Sequence, residues 1–443
     1  MELDQFDTEY PRVLVVDAAS FHRRSDLSIF KSNLFQGWPS DSLAQVIVGE
    51  DRPDFSVCQK YWRITRNDFV RRRSGRKVIC DSLGEENHAG ASRGQANRLR
   101  SQKLSDQVRA VLGYLPYALP IPISNDFQKW LIEFRPQVIF TIGNGIHVLS
   151  SVLRFSEYLK IPIVSYFTDD YIRWYYKRGP LDAFMRHRLV KAFRDCLQRS
   201  PVRLTISEAM SEEYTRRYGG EFYSCMDIVT LNDFLYKPYE IRQRQIKLLF
   251  TGVLEPDRWR SLKLLVDSLQ VLREEGIDVS LDIYTFPGQI EKYGSLLHSP
   301  PISHVHGPVP FAEVPRLLSD ADILVHVEAF GLKEDAMMAL SLSTKIPQYL
   351  ASGRAILGVG PSQVASMQYL KRSGAGIVVG QEDGPALKDA VRRLVCDVDM
   401  RVRLARKARE MAETNHDAIV GRNRFKRFMS KASQSHSFGI EAR

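Results

Sequence analysis

The 443-residue sequence predicts an α/β protein built from two open-sheet domains. Three observations predict it. Short apolar runs alternate with amphipathic stretches from end to end. The runs are continuously apolar, as strands of a parallel sheet buried on both faces must be. The alternation restarts after a polar, proline-containing segment, "FLYKPYEIRQRQ" at 234–245. The length also exceeds what one ordinary core supports.

In chain order, the first half offers strands at "RVLVV" (12–16), "AQVIV" (44–48), "QVIFTI" (137–142), "IPIVSYF" (161–167) and "VRLTI" (202–206). The second half offers "IKLLFTG" (246–252), "VSLDIY" (279–284), "DILVHV" (322–327), "RAILGV" (354–359) and "GIVV" (376–379). Helical patterns lie between them, such as "SLKLLVDSLQVLREEG" (261–276), closed by Gly276. The segment 81–106 is polar, glycine-containing and poor in large apolar residues, which predicts a flexible insertion in the first domain. The expected organisation is a first domain over 1–238, a second over 239–418, and a helix or tail over 419–443, with "SKASQSHSFGIEAR" as the tail. Ligand is expected between the domains, at the carboxyl ends of the strands.

Composition narrows the function classes. Hydrophobic content of 44% and charged content of 26% are those of a globular protein. No apolar run approaches the roughly 18 residues needed to span a bilayer. The acidic start "MELDQFDTEY" is no secretory signal. Five scattered cysteines without metal-type spacing predict reduced thiols and a cytoplasmic location. The formal charge of +10 is clustered in "RITRNDFVRRRSGRK" (63–77), in 173–203 and in "RVRLARKAR" (401–409). No nucleic-acid-binding motif accompanies these clusters, so no nucleic-acid partner is expected. They predict peripheral contact with anionic membrane at the inner face of the plasma membrane. The first loop, "DAASFHRRSD", lacks a GxGxxG fingerprint, which argues against a dinucleotide cofactor, and no cofactor or metal is expected.

The stretch "STKIPQYLASGRAILGVGP" (343–361) reads as a short helix over 344–352 followed by a strand. With Thr344 as N-cap, Pro347 takes the third helical position, where a missing N–H breaks no intrahelical bond. Lys345 is then a cation at the positive end of the helix dipole, an unfavourable position by a few tenths to about 1 kcal/mol. An anion there reverses the sign: backbone N–H groups, the Ser343 and Thr344 hydroxyls and Lys345 would converge on a phosphate. A second basic element opens the same domain. "LLFTGVLEPDRWRSLKLL" places Gly252 after the first strand, then Arg258 and Arg260 just ahead of the first helix, where guanidiniums could reach a diphosphate. The alternative for each is a solvated loop arginine.

On the first domain, "YFTDDY" ends a strand with Asp169 and Asp170. Either could remove a hydroxyl proton or stabilise a developing positive charge, and either could instead cap the following helix. Adjacent residues point to opposite sides, so at most one faces a substrate. Gly143, Asn144 and Gly145 form a small-residue turn after another strand, suited to close approach of a ligand, and His147 reads as a helix-start histidine. Asn33, in "SNLFQGW", could line the same cleft.

"FTGVLEPDRWRSLKLL", "HVHGPVPFAEVPRLLSDADILVHV", "SLSTKIPQYLASGRAILGVGP" and "GAGIVV" together resemble the donor domain of GT-B glycosyltransferases, especially bacterial enzymes of surface-polysaccharide and lipopolysaccharide biosynthesis. "FKSNLFQGWP", "YFTDDY" and "ISEAMSEEYTRRYGG" resemble their acceptor-domain segments. The resemblance implies two Rossmann-like domains facing across a cleft. It also implies metal-independent sugar transfer from a nucleotide-diphosphate sugar to a glycan or lipid-linked acceptor. Lys345, with Arg258 or Arg260 and assisted by Ser343 and Thr344, would then neutralise the leaving diphosphate. Gln348 stands where many members have a ribose-binding glutamate. Glu328 imitates the start of the family's Glu-x7-Glu spacing, but the eighth residue after it is Ala336. Glu328 is therefore expected as a ribose or sugar contact, with a solvated loop carboxylate as the alternative. These departures motivate a non-catalytic scaffold as another reading. A sugar-nucleotide epimerase of the same architecture is a third.

Overall fold

The computed structural model describes residues 10–22, 26–79, 121–175, 180–236, 245–331 and 337–435. The insertion expected at 81–106 lies outside them. The chain divides into two compact units. One holds Met1–Thr205, Tyr214–Tyr223 and Arg422–Arg443, and the other Ile206–Glu213 and Ser224–Gly421.

The first sheet has the order β4-β3-β2-β1-β5-β6-β7-β8. Its strands are β1 (Val13–Asp17), β2 (Leu43–Val48), β3 (Lys60–Ile64), β4 (Arg76–Val78), β5 (Val138–Thr141), β6 (Ile163–Phe167), β7 (Val202–Thr205) and β8 (Tyr223–Ser224). The second sheet runs β11-β10-β9-β12-β13-β14. It comprises β9 (Ile246–Thr251), β10 (Val279–Tyr284), β11 (Ser303–His306), β12 (Ile323–Val327), β13 (Ala355–Val359) and β14 (Gly376–Val379).

Each continuously apolar run of the sequence is one of these strands, and β1, β5, β6, β12 and β13 are buried at every position. Neighbouring strands at both sheet centres pair parallel. Strand order reverses between β1 and β5 in one sheet and between β9 and β12 in the other. In open α/β sheets the crevice outside the carboxyl ends at such a reversal is where ligands bind. Asp17 and Gly143 thus flank one reversal, and Gly252 and Glu328 the other.

Four strands escape the apolar-run criterion. β3 (KYWRI) and β4 (RKV) pair antiparallel near one edge of the first sheet, β11 (SHVH) closes one edge of the second, and β8 has two residues. Strands at or near an edge keep polar side chains on their wetter face, so they alternate instead of running apolar.

The helix Arg258–Glu274 buries Leu262, Leu265, Val266, Leu269 and Leu272 against β9, β10 and β12. That stripe is the 3.6-residue period, and each fully buried leucine contributes about 2 kcal/mol. The helix starts three residues before the expected Ser261, which carries Arg258 and Arg260 inside its first turn.

The stretch expected as a helix or tail begins as a helix that joins the core, and residues 436–443 of the expected tail lie outside the described residues. The helix Ala418–Gln434 places Phe425, Phe428, Met429 and Ala432 on one buried face, and "SKASQ" completes it. Phe425 packs on Phe35 at 5.0 Å, Phe140 at 5.4 Å and Trp38 at 6.1 Å, so this helix contributes to the core of the first unit.

Candidate active site

In the second unit the site begins where β9 ends. Thr251 meets the fully buried Tyr349: the Tyr349 hydroxyl accepts the Thr251 N–H at 3.3 Å and shares a hydrogen bond with Thr251 Oγ1 at 3.2 Å. This clamps the helix Lys345–Ala351 onto the strand end. One turn earlier on that helix, Lys345 crosses Gly252. A Cβ built on Gly252 would lie 2.7 Å from Lys345 Cε and 3.1 Å from Nζ. Gly252 has φ +145°, which L side chains rarely adopt, and its N–H donates to the Tyr284 carbonyl at 2.9 Å. The two sequence elements suspected of binding phosphate therefore meet.

Thr344 holds the N-cap position in a helical conformation, and its side chain makes no cap bond. Ser343 does that work, its Oγ accepting the Lys345 N–H at 3.4 Å while its own N–H donates to Ser366 Oγ at 3.1 Å. Gln348 is half-buried on the same short helix. The Gly252 turn is held from its other side as well. Gln289 Oε1 accepts the Leu254 N–H, and Glu255 pairs with Lys292 and accepts from the Tyr293 hydroxyl. Gly252→Ala is expected to displace the lysine and weaken nucleoside-diphosphate binding about tenfold or more, read by calorimetry. Unchanged affinity would show that the lysine's path over the glycine does not matter.

Arg258 is neither a solvated loop arginine nor ahead of its helix. Its Nε and Nη2 donate to Glu328 Oε2 at 3.0 and 2.7 Å. Glu328 is 7% exposed, and its Oε1 lies 3.3 Å from His326 Nε2, close enough to attract but off the line of a directed hydrogen bond. Burial pushes the Glu328 carboxyl up, but the neighbouring His326 and Arg258 outweigh it and bring its pKa to about 2. The carboxylate expected on ribose or sugar, or free in solvent, is instead a buried counter-ion for Arg258. The Glu328 carbonyl accepts from Ser261 Oγ at 2.9 Å, which ties β12's end to the same helix. Arg260 points outward, its side chain 65% exposed, paired with Asp257 at 3.4 Å and stacked on Trp259 at 5.2 Å. Of the expected diphosphate residues the structure gathers Gly252, Ser343, Thr344 and Lys345. It ties Arg258 to Glu328 at the other side of the strand reversal and leaves Arg260 outside.

In the first unit, Asp170 is 1% exposed. It occupies the N-cap position of the helix Tyr171–Trp174 without capping it. Its oxygens accept instead from the Tyr214 hydroxyl at 3.2 Å and Arg217 Nη1 at 2.5 Å. Asp169 is half-buried, 3.4 Å from Thr168 Oγ1. The Tyr171 hydroxyl donates to the Gly143 carbonyl at 2.5 Å, joining the β6 end to the turn of Gly143, Asn144 and Gly145. Burial lowers the His147 pKa to about 4, so its imidazole is neutral at pH 7.

Asn33 is a correction. It lies in the last turn of the helix Asp26–Phe35, which returns from the carboxyl end of β1 toward the start of β2, so it sits at the opposite sheet edge. There its carbonyl accepts from Arg422 Nε at 2.9 Å. The same helix carries a pair that the apolar pattern concealed. Lys31 is fully buried and donates to Asp17 Oδ2 at 3.2 Å and to the Ala19 carbonyl. Burial holds the Lys31 pKa below its ordinary value even beside Asp17. Its spacing from Leu34 and Phe35 marks it as core-facing, the one signal in the sequence that could have found it.

No family model matches the chain. No curated protein matches it either. Solved structures do. A glycosyltransferase from Rickettsia africae ESF-5 superimposes with TM-score 0.61 at 10% identity, covering 96% of this chain and 99% of that one. Anabaena Alr3699/HepE in complex with UDP gives TM-score 0.59 at 11% identity, covering 95% and 100%. WaaG, a glycosyltransferase involved in lipopolysaccharide biosynthesis, gives 0.53 at 14%, covering 96% and 100%. The chain has the GT-B glycosyltransferase fold.

Proposed function

We propose that the protein is a glycosyltransferase that moves a sugar from a nucleoside-diphosphate sugar to a glycan or lipid-linked acceptor in cell-envelope polysaccharide synthesis. The observation that carries this reading is the Lys345 side chain laid over the Gly252 backbone at the carboxyl end of β9, beside the strand reversal. Anabaena HepE, of the same fold, is known in complex with UDP-glucose, and WaaG acts in lipopolysaccharide biosynthesis, which supports the donor and acceptor classes.

In this reaction the bond between the sugar's anomeric carbon and the diphosphate breaks, and a bond to the acceptor oxygen forms. Negative charge grows on the diphosphate, and Lys345 with the Ser343 and Thr344 hydroxyls stabilises it without a metal ion. Gln348 would meet the ribose. The acceptor hydroxyl loses a proton, and Asp169 takes it. Asp170, buried against Arg217 and Tyr214, instead fixes the turn that presents its neighbour. Gly143, Asn144 and Gly145 would leave room for the acceptor. No helix among the described residues is long and apolar enough to cross a membrane. A cytoplasmic enzyme touching anionic membrane through its basic clusters fits a lipid-linked acceptor.

Thermal shift with UDP-, GDP- and ADP-linked sugars, followed by transfer onto membrane extracts, tests the reading. Stabilisation by one donor class and label appearing in the extract are expected. Interconversion of the free nucleotide sugar with no acceptor present would make the protein an epimerase, and no shift with any donor would make it a scaffold.

A further inference from the structure

The first basic cluster, Arg63 to Lys77, is not used by the site described above. It holds seven cations and one acid. The acid, Asp68, is occupied in the capping box of the helix Arg66–Arg71, where it accepts the Thr65 N–H and hydroxyl. β3 and β4 pair so that Arg63 stands directly opposite Arg76. Opposed residues share a face with Cβ atoms about 5 Å apart, and like charges so placed repel. The preceding turn enforces this pairing. Gly75 has φ +76°, and a Cβ there would fall 2.0 Å from the Arg63 carbonyl oxygen. Ser74 anchors the turn, its carbonyl accepting from Trp62 Nε1 at 2.5 Å and its Oγ donating to the Pro122 carbonyl at 2.7 Å.

Arg76 is exposed, but Arg63 is half-buried, and its Nε and Nη2 are buried without a hydrogen-bond acceptor. Burial, and then the charge of Arg76, hold the Arg63 pKa below its ordinary value. The neighbouring acids do not supply the missing acceptor. Asp51 Oδ2 accepts from Ser20 and faces His22, while Glu50 accepts the Arg66 N–H at 3.2 Å. Buried charged donors without an acceptor are rare and costly, and a bound anion or ordered water satisfies them. The register lines up Arg76, Arg63, Ile47 and Asp17 across β4 to β1. That row lies at the carboxyl end of the parallel strands, the sheet edge that also carries Gly143 and Asp169.

We propose that Arg63 and Arg76 form a binding site for a phosphate group. A guanidinium fork matches phosphate oxygens bidentately, and two arginines opposed on one face of a strand pair complement its charge of about −2. Phosphate binding needs only residues of the first unit. That the phosphate belongs to the acceptor rests on the glycosyl-transfer reading, and it makes the acceptor a phosphorylated glycan or lipid.

Inorganic pyrophosphate is the probe, titrated calorimetrically into the full chain and into R63M, R76Q and K345A. Arg76 is exposed, so R76Q tests the site even if R63M folds poorly. R63M and R76Q are expected to lose a pyrophosphate site, with affinity falling about tenfold or more, and to keep their response to UDP. K345A is expected to keep that site and lose the UDP response. Pyrophosphate binding unchanged in R63M and R76Q would overturn the site, and so would its loss in K345A alone. Loss in R63M and R76Q with no nucleoside diphosphate binding anywhere would sustain the phosphate site and sink glycosyl transfer instead. In transfer to membrane-extract acceptors, R76Q should raise KM with kcat held. Equal KM before and after phosphatase treatment of the acceptor would overturn the acceptor assignment.

Discussion

Lys345→Ala is expected to lower kcat for sugar transfer about 10²–10³-fold, the usual effect of removing one donor aimed at developing negative charge. The expectation follows from where the ammonium lies. It emerges at the start of a helix whose position is set by Tyr349 on Thr251, over a glycine that leaves no room for a side chain of its own. With no anion present, a cation at that helix end is mildly unfavourable, so the variant should melt at the same temperature or slightly higher. Activity and stability thus move in opposite directions. Lys345→Arg should recover only part of the rate, because the planar guanidinium does not follow the lysine's path over Gly252. A variant with full activity would remove the lysine from the reaction.

Glu328→Gln is expected to destabilise the second unit by about 3 kcal/mol, since it leaves the Arg258 guanidinium half-buried without its counter-charge. The figure sits at the low end for a broken buried pair because Arg258 keeps some access to water. The pH dependence gives the sign independently. The folded carboxyl titrates at about 2, against an ordinary value of 4.5. A depressed carboxylate pKa contributes stability that is complete above about pH 4.5 and is lost as pH falls toward 2. Urea unfolding of the wild type should therefore weaken across that window. The variant should start lower at pH 7 and show a flatter acid limb. Identical acid limbs would mean that Glu328 is not the buried counter-ion the geometry shows.

These two residues mark the limits of what the chain reveals before it folds. Lys345 was legible because its oddity is local: a cation between an N-cap and a helix can be judged from its immediate neighbours. Glu328 was not, because its partner Arg258 is 70 residues away and only the adjacency of β9 and β12 brings them together. The central strands were legible for the same local reason, being apolar along their whole length. β3, β4 and β11 carry arginine, lysine and histidine on a wetter face and lack that signal. Asn33 shows a different failure. Its motif was visible, but a helix of ten residues carries its last turn to the far edge of the sheet. Charges cannot be paired from spacing alone: Asp17 with Lys31 and Asp170 with Arg217 both needed the fold.

Whether Lys345 serves the second phosphate is most directly read by calorimetric titration of a nucleoside diphosphate and its monophosphate, each into wild type and Lys345→Ala. The diphosphate should bind the wild type about tenfold or more tightly than the monophosphate, and the advantage should vanish in the variant. If the variant keeps the whole diphosphate advantage, the cationic turn at the end of β9 is not the leaving-group site.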